Sequence, residues 1–229
     1  MHCSLEWQKL KEGRGESSND GAMFIEKSGV YLFLFCLKAF PFDTQLLLIM
    51  LRLLGNVAEV KELRCHLVSG ECLTALSQLL NHKNLEVSYS ASRIISLIAS
   101  EEPETWFYQT SFPRFKVLKQ LGEAIDRWNL DAKFVTNYRS LKPILQLLRC
   151  PEDIPEVQLW VVWTLANLTN VNPAKYCPLL MEEGGIQMLC CSRFNSATLK
   201  ISIGTLSVSV MRIGIIIFII FLFGFQTCL

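Results

Sequence analysis

Side chains suited to acid–base or metal chemistry are sparse in this chain of 229 residues. The three histidines, His2, His66 and His82, form no i, i+3 or i+4 pair, the spacing at which two imidazoles on one helix share a metal. The nine cysteines (Cys3, Cys36, Cys65, Cys72, Cys150, Cys177, Cys190, Cys191 and Cys228) contain no C-x-x-C pair and no zinc spacing. There is no glycine-rich phosphate loop, nucleophile elbow or pair of catalytic carboxylates. Catalysis and a resident metal or cofactor are therefore not expected. One pair does have a chemistry. Asn56 and Glu59 lie three apart in a helical run, so one helical face, or its C-terminal end, presents both. Together they offer an amide oxygen and a carboxylate, both acceptors; a cap or inter-helix ladder role for Asn56 and a solvated or paired surface charge for Glu59 are the bland explanations.

The run that carries this pair belongs to a repeat. Residues 46–60 (LLLIMLRLLGNVAEV), 87–101 (VSYSASRIISLIASE) and 157–171 (VQLWVVWTLANLTNV) each have apolar residues recurring at three and four. Each is apolar nearly all round, which predicts a central buried helix. Asn56, Leu97 and Asn167 hold the same place in the three copies, and the spacings are 41 and 70 residues. The first is the length of an armadillo or HEAT-type unit. The second leaves room for an insertion, read here at 101–137. A shorter amphipathic helix is predicted before each buried one, at 29–40, 71–80 and 140–149, with Pro143 in the first turn of the last. A fourth unit starts at 182–190, where Gly184 and Gly185 precede the apolar pattern. Helix pairs of this kind bury their apolar faces by stacking, so the expected fold is all-α: an armadillo-like α-solenoid of about three and a half helical repeats.

Composition agrees. Apolar residues make up 51% and charged residues 19% of the chain, which excludes a mainly disordered protein. The net charge of +1 comes from 22 basic and 21 acidic side chains mixed along the sequence, so no basic stripe supports nucleic-acid binding. Residues 1–21 are polar and read as a loose start without a secretory leader. The cysteines are accordingly expected to be reduced thiols of a cytoplasmic protein. The repeat domain is expected over 22–191. The segment 192–229 contains no acidic residue and ends in the apolar run 213–225. The alternative for localisation is a tail-anchored protein, with membrane association through 201–225, although Arg212 falls within that window. Two further features have bland explanations. Asn167-Leu168-Thr169 matches a glycosylation sequon, but on a buried helix. Cys190 and Cys191 adjoin the apolar tail, a context for palmitoylation, but read as free thiols.

The runs LLGNVAEVKEL (53–63), LEVSYSASRIISLI (85–98), NYRSLKPILQLL (137–148), VQLWVVWTL (157–165) and NPAKYCPLLMEEGG (172–185), with MFIEKSGVYLF (23–33) upstream, resemble the armadillo-like domain of the Zyg-eleven and Zer proteins. The resemblance covers about residues 22–187. It implies a non-enzymatic substrate receptor of a cullin-two RING ubiquitin ligase whose repeats recognise proteins with an N-terminal glycine. It further implies partnership with the cullin-two–elongin complex through a binding box, and a leucine-rich-repeat part, neither of which this sequence contains. The chain thus resembles a C-terminal fragment or short isoform, and the alternative function is that of a non-productive scaffold or tail-anchored solenoid fragment lacking ligase recruitment. By the same resemblance, Asn56 and Glu59 contact the amine of the degron. The family's pocket also draws on a Trp-Asn-Leu-Thr-Asp run one repeat earlier, which residues 1–21 do not offer, since Trp7 stands in a different context.

Overall fold

The computed structural model describes residues 28–100, 110–124, 137–149 and 155–191, with single positions at 23, 25, 106 and 128. The polar start at 1–21, the tail at 192–229 with its apolar run, and most of the expected insertion lie outside the described residues. Among the described residues the chain is all-α, without a strand. Nine α-helices are described: α1 (Gly29–Ala39), α2 (Thr44–Glu59), α3 (Gly70–Leu79), α4 (Leu85–Ala99), α5 (Arg114–Ala124), α6 (Lys142–Gln146), α7 (Pro155–Val171), α8 (Pro173–Glu182) and α9 (Gly185–Cys191). A 3-10 helix, Lys61–Leu67, precedes α3, and a 3-10 turn, Leu147–Arg149, extends α6.

Local chemistry sets the helix starts. Asp43, Ser69, Asn84 and Asn172 each sit at an N-cap and accept from a backbone N–H of the first turn, at 3.0 Å for Leu46, 3.2 Å for Cys72, 2.8 Å for Glu86 and 3.3 Å for Lys175. Pro143 stands in the first turn of α6, as expected. At the end of α8, Gly184 takes the left-handed conformation, with φ 73°, which a residue lacking Cβ adopts without strain.

The chain divides into two compact units, Met1–Val117 and Leu118–Leu229. In the first, α1 packs on α2 and α3 on α4, while α2 also packs on α4 and α1 on α3. That is two helix pairs stacked like on like, the arrangement that the repeat pattern requires. The 3-10 helix packs against both α2 and α4. Every residue from 91 to 100 is buried, so α4 is the all-round buried helix that its composition predicts. Two arginines close the long helices. Arg64 Nε donates to the Ala58 carbonyl at 2.7 Å, and Arg114 Nη2 donates to the Ala99 carbonyl at 2.6 Å. A cation at a helix C-terminus satisfies orphaned carbonyls and complements the dipole.

In the second unit α7 packs against α8 and the 3-10 turn, α8 against α9, and α9 against α6. Trp160 is wholly buried, and the Trp163 and Trp128 rings meet in a tilted contact with centroids 5.0 Å apart. The segment leading into α6 is tied to α8. Tyr138 N donates to the Tyr176 hydroxyl at 3.1 Å, and Leu141 N to a Glu183 carboxylate oxygen at 2.6 Å. Helix α5, inside the stretch read as an insertion, packs by a glycine. A Cβ on Gly122 would lie 2.5 Å from Glu156 Cβ and 2.9 Å from its backbone carbon. Backbone cannot yield as a side-chain end can, so Gly122→Ala is expected to lower stability by about 1–3 kcal/mol, read as a fall in the urea midpoint at unchanged m-value.

Candidate functional site

Glu59 is the last residue of α2, and Asn56 lies one turn before it. The two have different surroundings. Asn56 is exposed, whereas only 5% of the Glu59 side chain is accessible. The carboxylate turns towards α4. There its Oε1 accepts from Arg93 Nη2 at 2.8 Å, and the Arg93 side chain is itself 10% accessible. The arginine reaches Glu59 by lying over Gly55. A Cβ at Gly55 would come within 2.2 Å of Arg93 Nη1 and 3.3 Å of Cζ. Gly55 and Glu59 are four apart, so one face of α2 supplies a bare backbone floor and, one turn on, an anion.

A second pair shares this register. Arg52 Nη2 meets Glu86 Oε1 at 3.2 Å, with 69% and 38% of the side chains accessible. Both ion pairs join residues 34 apart, and they lie seven residues apart along each helix. Helices α2 and α4 therefore run side by side in the same direction, with one charge pair in water and one out of it.

The remaining candidates are structural. Asn167 is half-buried on α7, and the Thr169 hydroxyl of its sequon donates to the Leu165 carbonyl at 2.8 Å. Cys36 and Cys72 are free and buried, and Cys177 is free and exposed. Burial pushes the Cys72 thiol up to about 12. The expectation of reduced thiols throughout is corrected at Cys65, which is disulfide-bonded. Proximity of two sulfurs in space decides a bridge, and sequence spacing does not reveal it. Cys190 and Cys191 end α9. Among the described residues no group of three His, Cys, Asp or Glu side chains could hold a metal, and no helix is long and apolar enough to cross a membrane.

His66, half-buried on the 3-10 helix Lys61–Leu67, has its pKa lowered from 6.5 by burial. The unfolded chain thus takes up a proton near pH 6.5 that the folded chain still refuses. Stability is expected to be insensitive to His66 above that pH and to fall as pH drops below it. The fall stops once the folded imidazole protonates too, and its slope is at most about 1.4 kcal/mol per pH unit. Urea titrations between pH 7.5 and 5 on the wild type and His66→Gln check this. The substitution should remove that component of the slope.

The arrangement is that of a helical-repeat protein whose long helices meet through paired charges. Comparison with known proteins gives the lineage. Residues 5–211 match the family model described as the C-terminal domain of proteins like the protein zer-1 homolog. The chain is 42% identical over 188 residues to the human Protein zer-1 homolog, and equally to that of the mouse. In each case 81% of this chain and 24% of the relative are covered. Zyg eleven-related protein 1 of Caenorhabditis elegans is 34% identical over 185 residues, covering 80% of this chain and 20% of the relative. The chain belongs to the Zyg-eleven and Zer family, and it spans about a quarter of the length of the curated relatives it matches.

The residue that sequence reasoning missed is Arg93. It lies within the second buried run, where the apolar pattern predicts packing alone. Its signal is reciprocal charge: Arg52 and Glu59 on α2 stand opposite Glu86 and Arg93 on α4, both at a separation of 34.

Proposed function

We propose that the chain is a substrate-recognition segment of a cullin-two RING ubiquitin ligase receptor, without catalysis of its own, which reads proteins bearing an N-terminal glycine. Asn56 and Glu59 are its amine-binding residues. The observation that carries the reading is Glu59. A carboxylate 5% accessible at the end of a repeat helix costs free energy unless a cation faces it, so this position is one where the fold holds an anion for a positive group. Exposed Asn56 beside it supplies a neutral acceptor. Family membership supports the same role. Recruitment of the cullin-two–elongin complex belongs to the longer protein, and the working location is the cytoplasm. Membrane association through 201–225 is the competing proposal for the tail.

Titration of a peptide beginning with free glycine, and of its N-acetylated twin, tests the reading. The partners are the chain itself and a longer form carrying the preceding repeat of a relative. The free-amine peptide should bind the longer form more tightly, and acetylation, which removes the charge, should abolish binding. Equal binding of both peptides would refute an amine site. A second reading, a helical scaffold that takes no degron, is favoured by one observation: Arg93 already faces the Glu59 carboxylate.

A further inference from the structure

The geometry points to Arg93 as a built-in occupant of a cation site, a side chain that fills from within the place where an incoming ammonium would meet Glu59. This rests on the amine-binding reading of Glu59 and adds how that site is controlled. Three observations combine. The Glu59 carboxylate is withdrawn from water, and Arg93 Nη2 donates to it at 2.8 Å. The guanidinium lies against the Gly55 backbone, in space that any Cβ there would occupy, at 2.2 Å from Nη1. The arginine comes from α4, the neighbouring repeat, so it reaches the site from across the helix pair and not from the helix that owns the carboxylate.

A floor without side chain and a desolvated anion one turn away make a slot for a compact organic cation. A guanidinium and a primary ammonium share the required features: positive charge, several N–H donors and small girth. The slot holds one of them at a time. An N-terminal ammonium gains the carboxylate only if the guanidinium leaves, and the guanidinium is tethered and therefore present at a high effective concentration. In this chain Arg93 sets the affinity threshold for the amine. Replacing it by a small residue should open the slot and leave Glu59 wanting a cation. Arg93→Ala should thus behave in a way that a packing defect does not: small cations should repair it.

The test uses the whole chain. Melting temperatures are measured for wild type, Arg93→Ala, Arg93→Gln and Arg93→Ala with Glu59→Gln, in millimolar methylguanidinium or ethylammonium and in tetramethylammonium at the same ionic strength. The first two cations should raise the melting temperature of Arg93→Ala, and less strongly that of Arg93→Gln. They should not raise that of wild type or of the double variant. Absence of a selective rise in the Arg93 variants overturns the proposal. The glycine-initiated peptide gives the second arm. Arg93→Ala should bind it at least tenfold more tightly than wild type, with the gain lost on acetylation or on Glu59→Gln. Rescue by methylguanidinium without peptide binding keeps the internal occupant and removes the N-terminal glycine reading. Equal peptide affinity in wild type and Arg93→Ala keeps that reading and removes the occupant. Should neither Arg93 variant fold on its own, refolding yield decides: methylguanidinium or ethylammonium should raise the yield of folded Arg93→Ala above that in tetramethylammonium, and equal yields overturn the proposal.

Discussion

Glu59→Ala is expected to destabilise the fold by about 3–5 kcal/mol, because it removes the buried carboxylate that faces the Arg93 guanidinium, itself 10% accessible. Arg52→Ala, which breaks the matching pair at the same register, is expected to cost about 1 kcal/mol or less, since 69% of Arg52 and 38% of Glu86 are accessible. The comparison is internal: same two helices, same spacing, opposite exposure. Urea unfolding of the two variants and of wild type measures it. The double variant Glu59→Ala, Arg93→Ala should lose less than the sum of its parts, because both substitutions remove the same contact. Equal costs for Glu59→Ala and Arg52→Ala would mean that water reaches the inner pair as freely as the outer. The size of this effect also bears on binding. A Glu59 variant that no longer binds a peptide must first be shown to be folded.

The second large effect lies in the other unit. Trp160 is wholly buried on α7, and Trp160→Ala is expected to cost about 3–5 kcal/mol through lost transfer energy and the cavity left behind. Trp160→Phe should cost far less. The indole Nε1–H of Trp160 has no hydrogen-bond partner among the described residues, so phenylalanine deletes a buried donor that the fold does not satisfy, and that gain offsets part of the lost volume. Thermal melts of both variants check the order. If Trp160→Phe is as damaging as Trp160→Ala, the ring's second lobe, and not its polar group, governs the site.

The apolar pattern locates the helices that packing dictates. The apolar runs at 46–60, 87–101 and 157–171 correspond to α2, α4 and α7, but only α4 and α7 are buried on nearly all sides, since α2 exposes Ile49 and Leu53 beside Arg52 and Asn56. The caps are legible at Asp43 and in the turn ending at Asn84. Helix α5 is not, although Val117, Leu118, Leu121 and Ala124 form a buried stripe opposite exposed Lys116 and Lys119. The 70-residue repeat spacing invites an insertion there and draws attention from the stripe. Helix α8 is hidden by Pro178 in its interior. A proline removes one hydrogen bond and is usually read as a stop, but Pro178 is exposed, so water can serve the carbonyl it leaves unpaired. For the site, Asn56 and Glu59 are singled out by the resemblance to the Zyg-eleven and Zer proteins, with which their types and spacing agree. Their different exposure cannot be read that way, because it depends on a guanidinium from another repeat.

The arginines that close α2 and α4 set limits on dissecting this protein. Arg64 and Arg114 lie outside the helices whose last carbonyls they hold, at Ala58 and Ala99. Ala58 and Ala99 keep the repeat spacing of 41, whereas their arginines are 50 apart, so the connectors to the two arginines differ in length while each long helix is clasped. The unit that can be cut out intact is consequently not the repeat seen in the sequence but the repeat together with the clasping arginine just beyond it. A fragment ending at residue 60 would expose the last turn of α2 to fraying, and amide exchange there should quicken. One ending after Arg64 retains the clasp.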